Sequence, residues 1–338
     1  MTRTGESAMH APWTFTQAPV TSRRGFFWVT GDRVAGPDGS RLDSPMYVEW
    51  ESPVNARPVP VVLVHGGGGQ GTDWLATPDG RPGWAGYLVQ DRWTVFVVDR
   101  PGHGRSPRPD AATAPVPPLE GAAAIFAPGT DEVHTQWPGP GGAGDPAVAQ
   151  LAAGFTGLPR DLAAAQALEG ARLAELLAQT GPAVLITHSA GAPAGWLAAD
   201  ARPDLVKAIV AIEPVGPPFV RIPEAGLSLD WGLTAAPLTY DPPATSAGDL
   251  DPRRPRALPR LANLPVAVVE ADASPLAAAC RPVAEHLNGA GVAAQHLRLA
   301  EHGVHGNGHG MMVELNNREV LDVVTGWLDT ALAGDDQR

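Results

Sequence analysis

Cysteine is nearly absent from these 338 residues: Cys280 stands alone, so no disulfide can form within the chain. Its neighbours read as a helix, which makes it a small buried apolar residue. Lysine is as scarce, with Lys207 the only one, and the basic residues are scattered without forming a run. Together with a net charge of −12, this argues against a nucleic-acid partner. The acidity itself reads as a solubilising surface. No apolar run is long enough to span a bilayer. Residues 1–17 lack the basic stretch and apolar core of a secretory signal, so a cytoplasmic protein is expected. No internal repeat is evident.

Hydrophobic residues make up 44% of the chain and charged residues 18%, so a sizeable packed core is expected. The length suits one large α/β domain with insertions or two small domains. Residues 1–24 are polar and irregular and are expected to form a loose arm. Residues 25–30 and 46–50 read as two strands either side of a turn at 36–39, an antiparallel hairpin leading into a sheet. Short apolar runs at 59–64, 94–98, 183–186, 208–212 and 266–269 read as strands buried on both faces, and 294–299 as a last strand. Helical patterns at 84–90, 161–179, 195–200 and 275–288 lie between most of them. The clearest helix closes the chain, where Val320, Leu321, Val324, Trp327, Leu328 and Ala331 share helical spacing. Asn316 with Glu319 predicts a capping box at its start.

Strands alternating with helices make the fold class α/β, with a mostly parallel sheet of about eight strands covered on both faces. Two Pro-rich stretches, 107–159 and 215–259, interrupt the alternation. Both are long for connections in a compact domain. They are expected to build a cap on a single domain spanning 25–338.

The apolar run at 183–186 breaks into Thr187-His188-Ser189-Ala190-Gly191. A buried strand that turns sharply into a helix with a serine at the corner is the layout of a nucleophile elbow. The usual pattern is Gly-x-Ser-x-Gly. Here Thr187 replaces the first glycine, so the space around the elbow must differ. A serine hydroxyl is a poor nucleophile at neutral pH; it needs a base, an acid to orient that base, and donors for the oxyanion. The base should lie between the last strand and the final helix. Of His302, His305 and His309, the last sits nearest the helix in a glycine-rich setting and is the candidate. His302 and His305 read as exposed loop or supporting residues. Three histidines so close together could bind a metal, but no acidic or cysteine partner adjoins at ligand spacing, so no metal is expected. Two acids qualify: Glu213, after the strand at 208–212, and Asp272, after that at 266–269. Both lie at carboxyl ends of strands, where open α/β sheets bind ligands. The oxyanion donors are expected from the Ala190 amide and from the glycine run His65-Gly66-Gly67-Gly68-Gly69, with Gly67 as the choice. The turn at 99–106 is expected only to shape the site.

In this order and spacing the motifs resemble the α/β-hydrolase superfamily over about residues 25–332. They are more closely similar to a branch of bacterial esterases. In that branch a His-Gly-Gly-Gly-Gly-Gln-Gly run precedes an Asp-Trp pair, here 65–71 and Asp73-Trp74. An acid followed by Pro and then Gly-Pro-Pro-Phe comes after strand six, here Glu213-Pro214 with Gly216-Pro217-Pro218-Phe219. Gly-Asn-x-His precedes an Asn-Asn pair, here 306–309 and Asn316-Asn317. The triad acid of that branch follows strand six, so the resemblance implies Glu213 rather than Asp272; a homodimer is implied by the resemblance alone.

The expectation is a serine carboxylic-ester hydrolase working through an acyl-enzyme, with Ser189 as nucleophile, His309 as base and Glu213 as acid. The Gly67 and Ala190 amides would hold the oxyanion, with no metal or organic cofactor. Trp74, Trp137 and Trp231, near or within the cap, suggest an apolar or bulky ester. Two alternatives stand beside it. The same triad could serve lactone, amide or carbon–carbon bond hydrolysis, or acyl transfer, because a fold does not fix a reaction. A non-enzymatic scaffold binding a small apolar ligand is the other, and an intact Ser, His and acid argues against it.

Overall fold

The computed structural model describes residues 19–107, 114–129 and 132–333. The chain enters through β1 (Ser22–Val29), a small ribbon of β2 (Arg33–Gly36) and β3 (Gly39–Leu42), then β4 (Met46–Pro53) and β5 (Val61–Val64). After α1 (Trp84–Gln90) and β6 (Val95–Asp99) come α2 (Leu119–Phe126), α3 (Pro146–Ala152) and α4 (Leu162–Thr180). Next are β7 (Ala183–His188), α5 (Ala192–Ala201), β8 (Val206–Ile212), and the short strands β9 (Arg221–Ile222) and β10 (Leu227–Ser228). The last elements are β11 (Val266–Glu270), α6 (Cys280–Gly289), β12 (Ala294–Arg298) and α7 (Asn317–Ala333).

Eight of these strands form one sheet in the order β1-β4-β6-β5-β7-β8-β11-β12. The pairs β1–β4 and β4–β6 are antiparallel, and the other neighbours run parallel. The expected hairpin is therefore present as β1–β4, but the turn at 36–39 belongs to the separate β2–β3 ribbon. Ser22, inside the stretch expected as an arm, already pairs with Pro53; residues 1–18 lie outside the described residues.

Every residue of β5 is buried, and alternation sends Val61 and Leu63 to one core and Val62 and Val64 to the other. The first core is completed by α1 and α7, through Trp84, Leu88, Val320 and Val324. The second is completed by α4, α5 and α6, through Leu173, Trp196, Val283 and Leu287. Cys280 is buried there in α6, as the sequence predicts. No helix among the described residues is long and apolar enough to cross a membrane.

Three local expectations are corrected. Asn316 does not cap α7: its side chain exchanges hydrogen bonds of 2.6 and 3.1 Å with Asn307, which ties the helix start to the preceding loop instead. Of the two stretches expected to form the cap, only the first, carrying α2 and α3, lines the cavity at the carboxyl edge of the sheet. The second buries Leu233, Leu238, Tyr240 and Leu258 in the second core, and Ala235 N–H donates to Gln166 of α4 at 2.6 Å. Apolar burial fastens most of that stretch to the body, and its first residue, Val215, reaches the elbow, where its N–H donates to the Ser189 carbonyl at 3.1 Å. The tryptophans do not line the cavity either. Trp74 packs against Trp84 at a tilt of 42° with ring centroids 5.7 Å apart, Trp137 donates its indole N–H to Asp145 at 2.7 Å, and Trp231 packs against the second core.

Candidate active site

Segments that follow β5, β6, β7, β11 and β12 line one cavity of about 200 Å3, among them Ser189, His309 and the glycines 66–69. Ser189 follows β7 directly and has φ 51°, in the left-handed region that a residue with a Cβ rarely adopts. A Cβ at Gly191 would collide with the His65 carbonyl oxygen, so the strand β5 and the elbow touch backbone to backbone there. Thr187 is fully buried, and room for its methyl comes from Gly195 in α5, where a Cβ would lie 2.9 Å from Thr187 Cγ2.

His309 is buried in the loop between β12 and α7. Its Nδ1–H donates to Glu213 Oε2 at 2.7 Å, which leaves Nε2 free to accept a proton. Glu213, just past β8, is itself at φ 39° and fully buried. Its carboxylate also accepts from Ala271 N–H at 3.1 Å and from the Ser274 hydroxyl at 2.5 Å, both on the loop after β11. Asp272, the rival acid, sits on that loop but faces the other way: it accepts from His305 Nδ1 and from Gly306 N–H, each at 2.9 Å. The structure thus brings Glu213 to His309 and sets Asp272 against His305. His302 ends a short helical turn before this loop and is exposed. Among the described residues, no group of three or more His, Cys, Asp or Glu is placed to hold a metal ion.

Several residues that sequence reasoning passed over complete the site. His188 is buried beside His309 with ring centroids 4.5 Å apart, and its Nε2–H donates to the His309 carbonyl at 3.1 Å. Burial, reinforced by the neighbouring His309, holds its imidazole well below the ordinary value, so it stays neutral. His65 is also kept neutral by burial; its Nδ1–H donates to Gly66 O at 2.9 Å while Nε2 accepts from Arg100 N–H at 3.0 Å. The Arg100 guanidinium bonds the same Gly66 carbonyl at 2.7 Å and pairs with Glu169 of α4 at 2.8 Å, fully enclosed. The turn at 99–106 therefore holds the glycine run as well as shaping it. His188 lay within the elbow motif, whereas Glu169, one of two acids inside the helix at 162–180, gave no signal.

Apart from Asp73, the rest of the cavity wall is largely apolar, built by residues such as Phe126, Phe155, Leu158, Met312 and Val313. Phe126 packs its ring 5.4 Å from that of His309. A serine, a histidine with a free ring nitrogen, a carboxylate behind it and glycine backbone lining the same cavity together suit acyl transfer.

Comparison with known proteins agrees with this topology. A sequence model of the alpha/beta hydrolase fold matches residues 59–292. A probable secreted lipase, phiG, from a fungus (Fungal sp., strain ATCC 74256) is 37% identical over 320 residues, which span 84% of this chain and 85% of that one. A bacterial esterase solved at atomic resolution superposes with a TM-score of 0.70 at 26% identity, over 94% of this chain and 98% of the other. With most of its length matched by the family model and by a relative of this similarity, the chain belongs to the α/β-hydrolase fold family.

Proposed function

We propose that the protein hydrolyses carboxylic esters through Ser189, His309 and Glu213. The observation that carries the reading is the 2.7 Å bond from His309 Nδ1 to the buried Glu213 carboxylate, in a cavity that Ser189 also lines. Ser189 Oγ attacks the ester carbonyl carbon as its proton passes to His309 Nε2. Glu213 fixes the imidazole and offsets the charge it acquires. The Gly67 and Ala190 amides hold the oxyanion. The C–O bond to the alcohol then breaks, and the alcohol leaves with the proton from His309. Water, deprotonated by the same nitrogen, attacks the acyl-enzyme and frees the acid and Ser189. None of these steps calls for a metal or organic cofactor. The phenylalanine and aliphatic walls suit an apolar acyl or alcohol chain. The similar proteins are named as a lipase and an esterase, which fits this chemistry better than the lactone, amide and carbon–carbon alternatives.

Fluorophosphonate treatment followed by peptide mass analysis tests the reading. Ser189 is expected to label, Ser189→Ala to abolish labelling, and His309→Ala to slow it strongly. Glu213→Gln should lower ester turnover by about three to four orders of magnitude, as loss of the orienting acid does in serine triads, whereas Asp272→Asn should cost less than about tenfold. The reverse ranking would make Asp272 the acid. The fungal relative is named as secreted, so the cytoplasmic location expected above stands as part of the proposal, tested by fractionating cells that express the protein. Sedimentation tests the homodimer.

A further inference from the structure

One carboxyl in the cavity has no part in that chemistry. Asp73 lies at the end of the glycine run, in the short helical turn Gly71–Trp74, and lines the same cavity as Ser189. Its carboxylate rests against the Cα of Gly69, so close that a Cβ there would collide with Oδ2. Among the described residues it forms no ion pair. Arg100, the nearest cation to act on it, is spent on Glu169 and on the Gly66 carbonyl. The neighbouring acid Asp99 is engaged by Arg105 and by Gly71 N–H. Burial pushes the Asp73 carboxyl up to about 7, against the opposing effect of a hydrogen bond from the Gln70 backbone N–H, so that near neutrality it can donate or accept a further hydrogen bond. One backbone donor leaves part of the carboxyl's hydrogen-bonding capacity unused in a largely apolar wall, which costs stability, and the other polar side chains on the wall, those of His188, Ser189 and His309, belong to the site already described.

We infer that Asp73 is a specificity residue which hydrogen-bonds a hydroxyl group of the substrate, so that the preferred esters are hydroxyl-bearing ones. This rests on the ester-hydrolase reading of the same cavity. A hydroxyl matches the site because it both donates and accepts, and so pairs with the carboxyl in either protonation state. An ammonium would need several acceptors, and the glycine run offers N–H groups in a largely apolar wall. A carboxylate on the substrate would be repelled once Asp73 ionises.

The test compares matched esters on the wild-type protein and on Asp73→Asn and Asp73→Leu. One series carries the hydroxyl on the acyl side, as methyl esters of ω-hydroxy acids against methyl alkanoates. The other carries it on the alcohol side, as monoacetates of α,ω-diols against alkyl acetates. The readout is the ratio of kcat/KM, hydroxy over plain, at matched chain length, and cooperative thermal unfolding checks that each variant is folded. In the wild type the ratio should reach about tenfold or more in one series, the worth of a hydrogen bond to a buried charged group. It should fall to near one, or below, in Asp73→Leu. A wild-type ratio near one at every length in both series overturns the inference by itself. So does a high ratio that survives in both folded variants. If no ester in either series is hydrolysed and Ser189 does not label, the ester-hydrolase reading has failed instead.

Discussion

Thr187 stands where elbows of this kind carry glycine, and the compensation lies one element away. Its Cγ2 faces Gly195, at whose position a Cβ would come within 2.9 Å, well inside normal carbon contact. A β-branched side chain enclosed in a strand has few rotamers with which to retreat. The two positions are therefore coupled: the bulk of Thr187 on the strand occupies the space that Gly195 on the helix leaves open. Gly195→Ala should destabilise the protein by about 1–3 kcal/mol through overpacking, and adding Thr187→Ala should recover most of that loss. Urea unfolding of the two single variants and the double variant measures this, and additive effects would refute the coupling. Thr187 Oγ1 has no hydrogen-bond partner in the protein, so nothing polar is lost when the hydroxyl goes.

The loop that presents His309 is held mainly by one buried acid. Glu314 accepts from Gly308 N–H at 2.9 Å, from Asn307 Nδ2 at 2.8 Å and from His134 Nε2 at 2.8 Å. Gly308 directly precedes His309, so this carboxylate sets where the imidazole starts. His134 belongs to the first insertion, and the adjacent Thr135 and Gln136 amides both donate to the Gly306 carbonyl at 3.0 Å. Cap and histidine loop are thus one hydrogen-bonded unit. Removing one partner of such a network strands the others without water. Glu314→Ala should cost about 3–5 kcal/mol of stability and also slow fluorophosphonate labelling of Ser189. A variant that melts early yet labels at the wild-type rate would separate folding from positioning and refute the second half.

For the whole molecule, pH acts through buried neutral histidines. Burial lowers the pKa of His65 and His188, and that of His286 to about 4. The unfolded chain takes up protons at these sites below about pH 6.5, while the folded chain does not. The share of stability that these histidines contribute is therefore full above that value and declines as the pH falls, while Asp73 and Glu169, whose carboxyls burial pushes up, act with the opposite sign. For His286 the decline continues until about pH 4, where the folded form also binds its proton. His286 Nε2 is buried without a partner, so His286→Leu removes the titration without breaking a bond. The expected result is a flatter stability profile between pH 6.5 and 4, with the His286 share on the order of 3 kcal/mol. Denaturant unfolding at stepped pH measures it; parallel curves for wild type and variant would contradict the assignment.

The sequence alone determined the buried strands and the longer helices, though not α2, α3 or the β2–β3 ribbon, because a strand buried on two faces must be continuously apolar and an amphipathic helix must repeat near 3.6 residues. It placed β5, β7, β8 and β11 to within a few residues and put a serine at the β7 corner. Spacing left the acid open between Glu213 and Asp272, and only the resemblance ranked them. Which acid meets His309 is a matter of strand order: Glu213 and His309 are 96 residues apart and come within 2.7 Å because β8, β11 and β12 are neighbours in one sheet. The role of Glu169 was hidden for the same reason, since its partner Arg100 is 69 residues away. Nor could composition tell which Pro-rich stretch covers the cavity, because both bury apolar side chains and only their attachment to opposite cores separates them. Local pattern follows from burial along the chain, whereas partnership at the site follows from which loops the sheet gathers at its carboxyl edge.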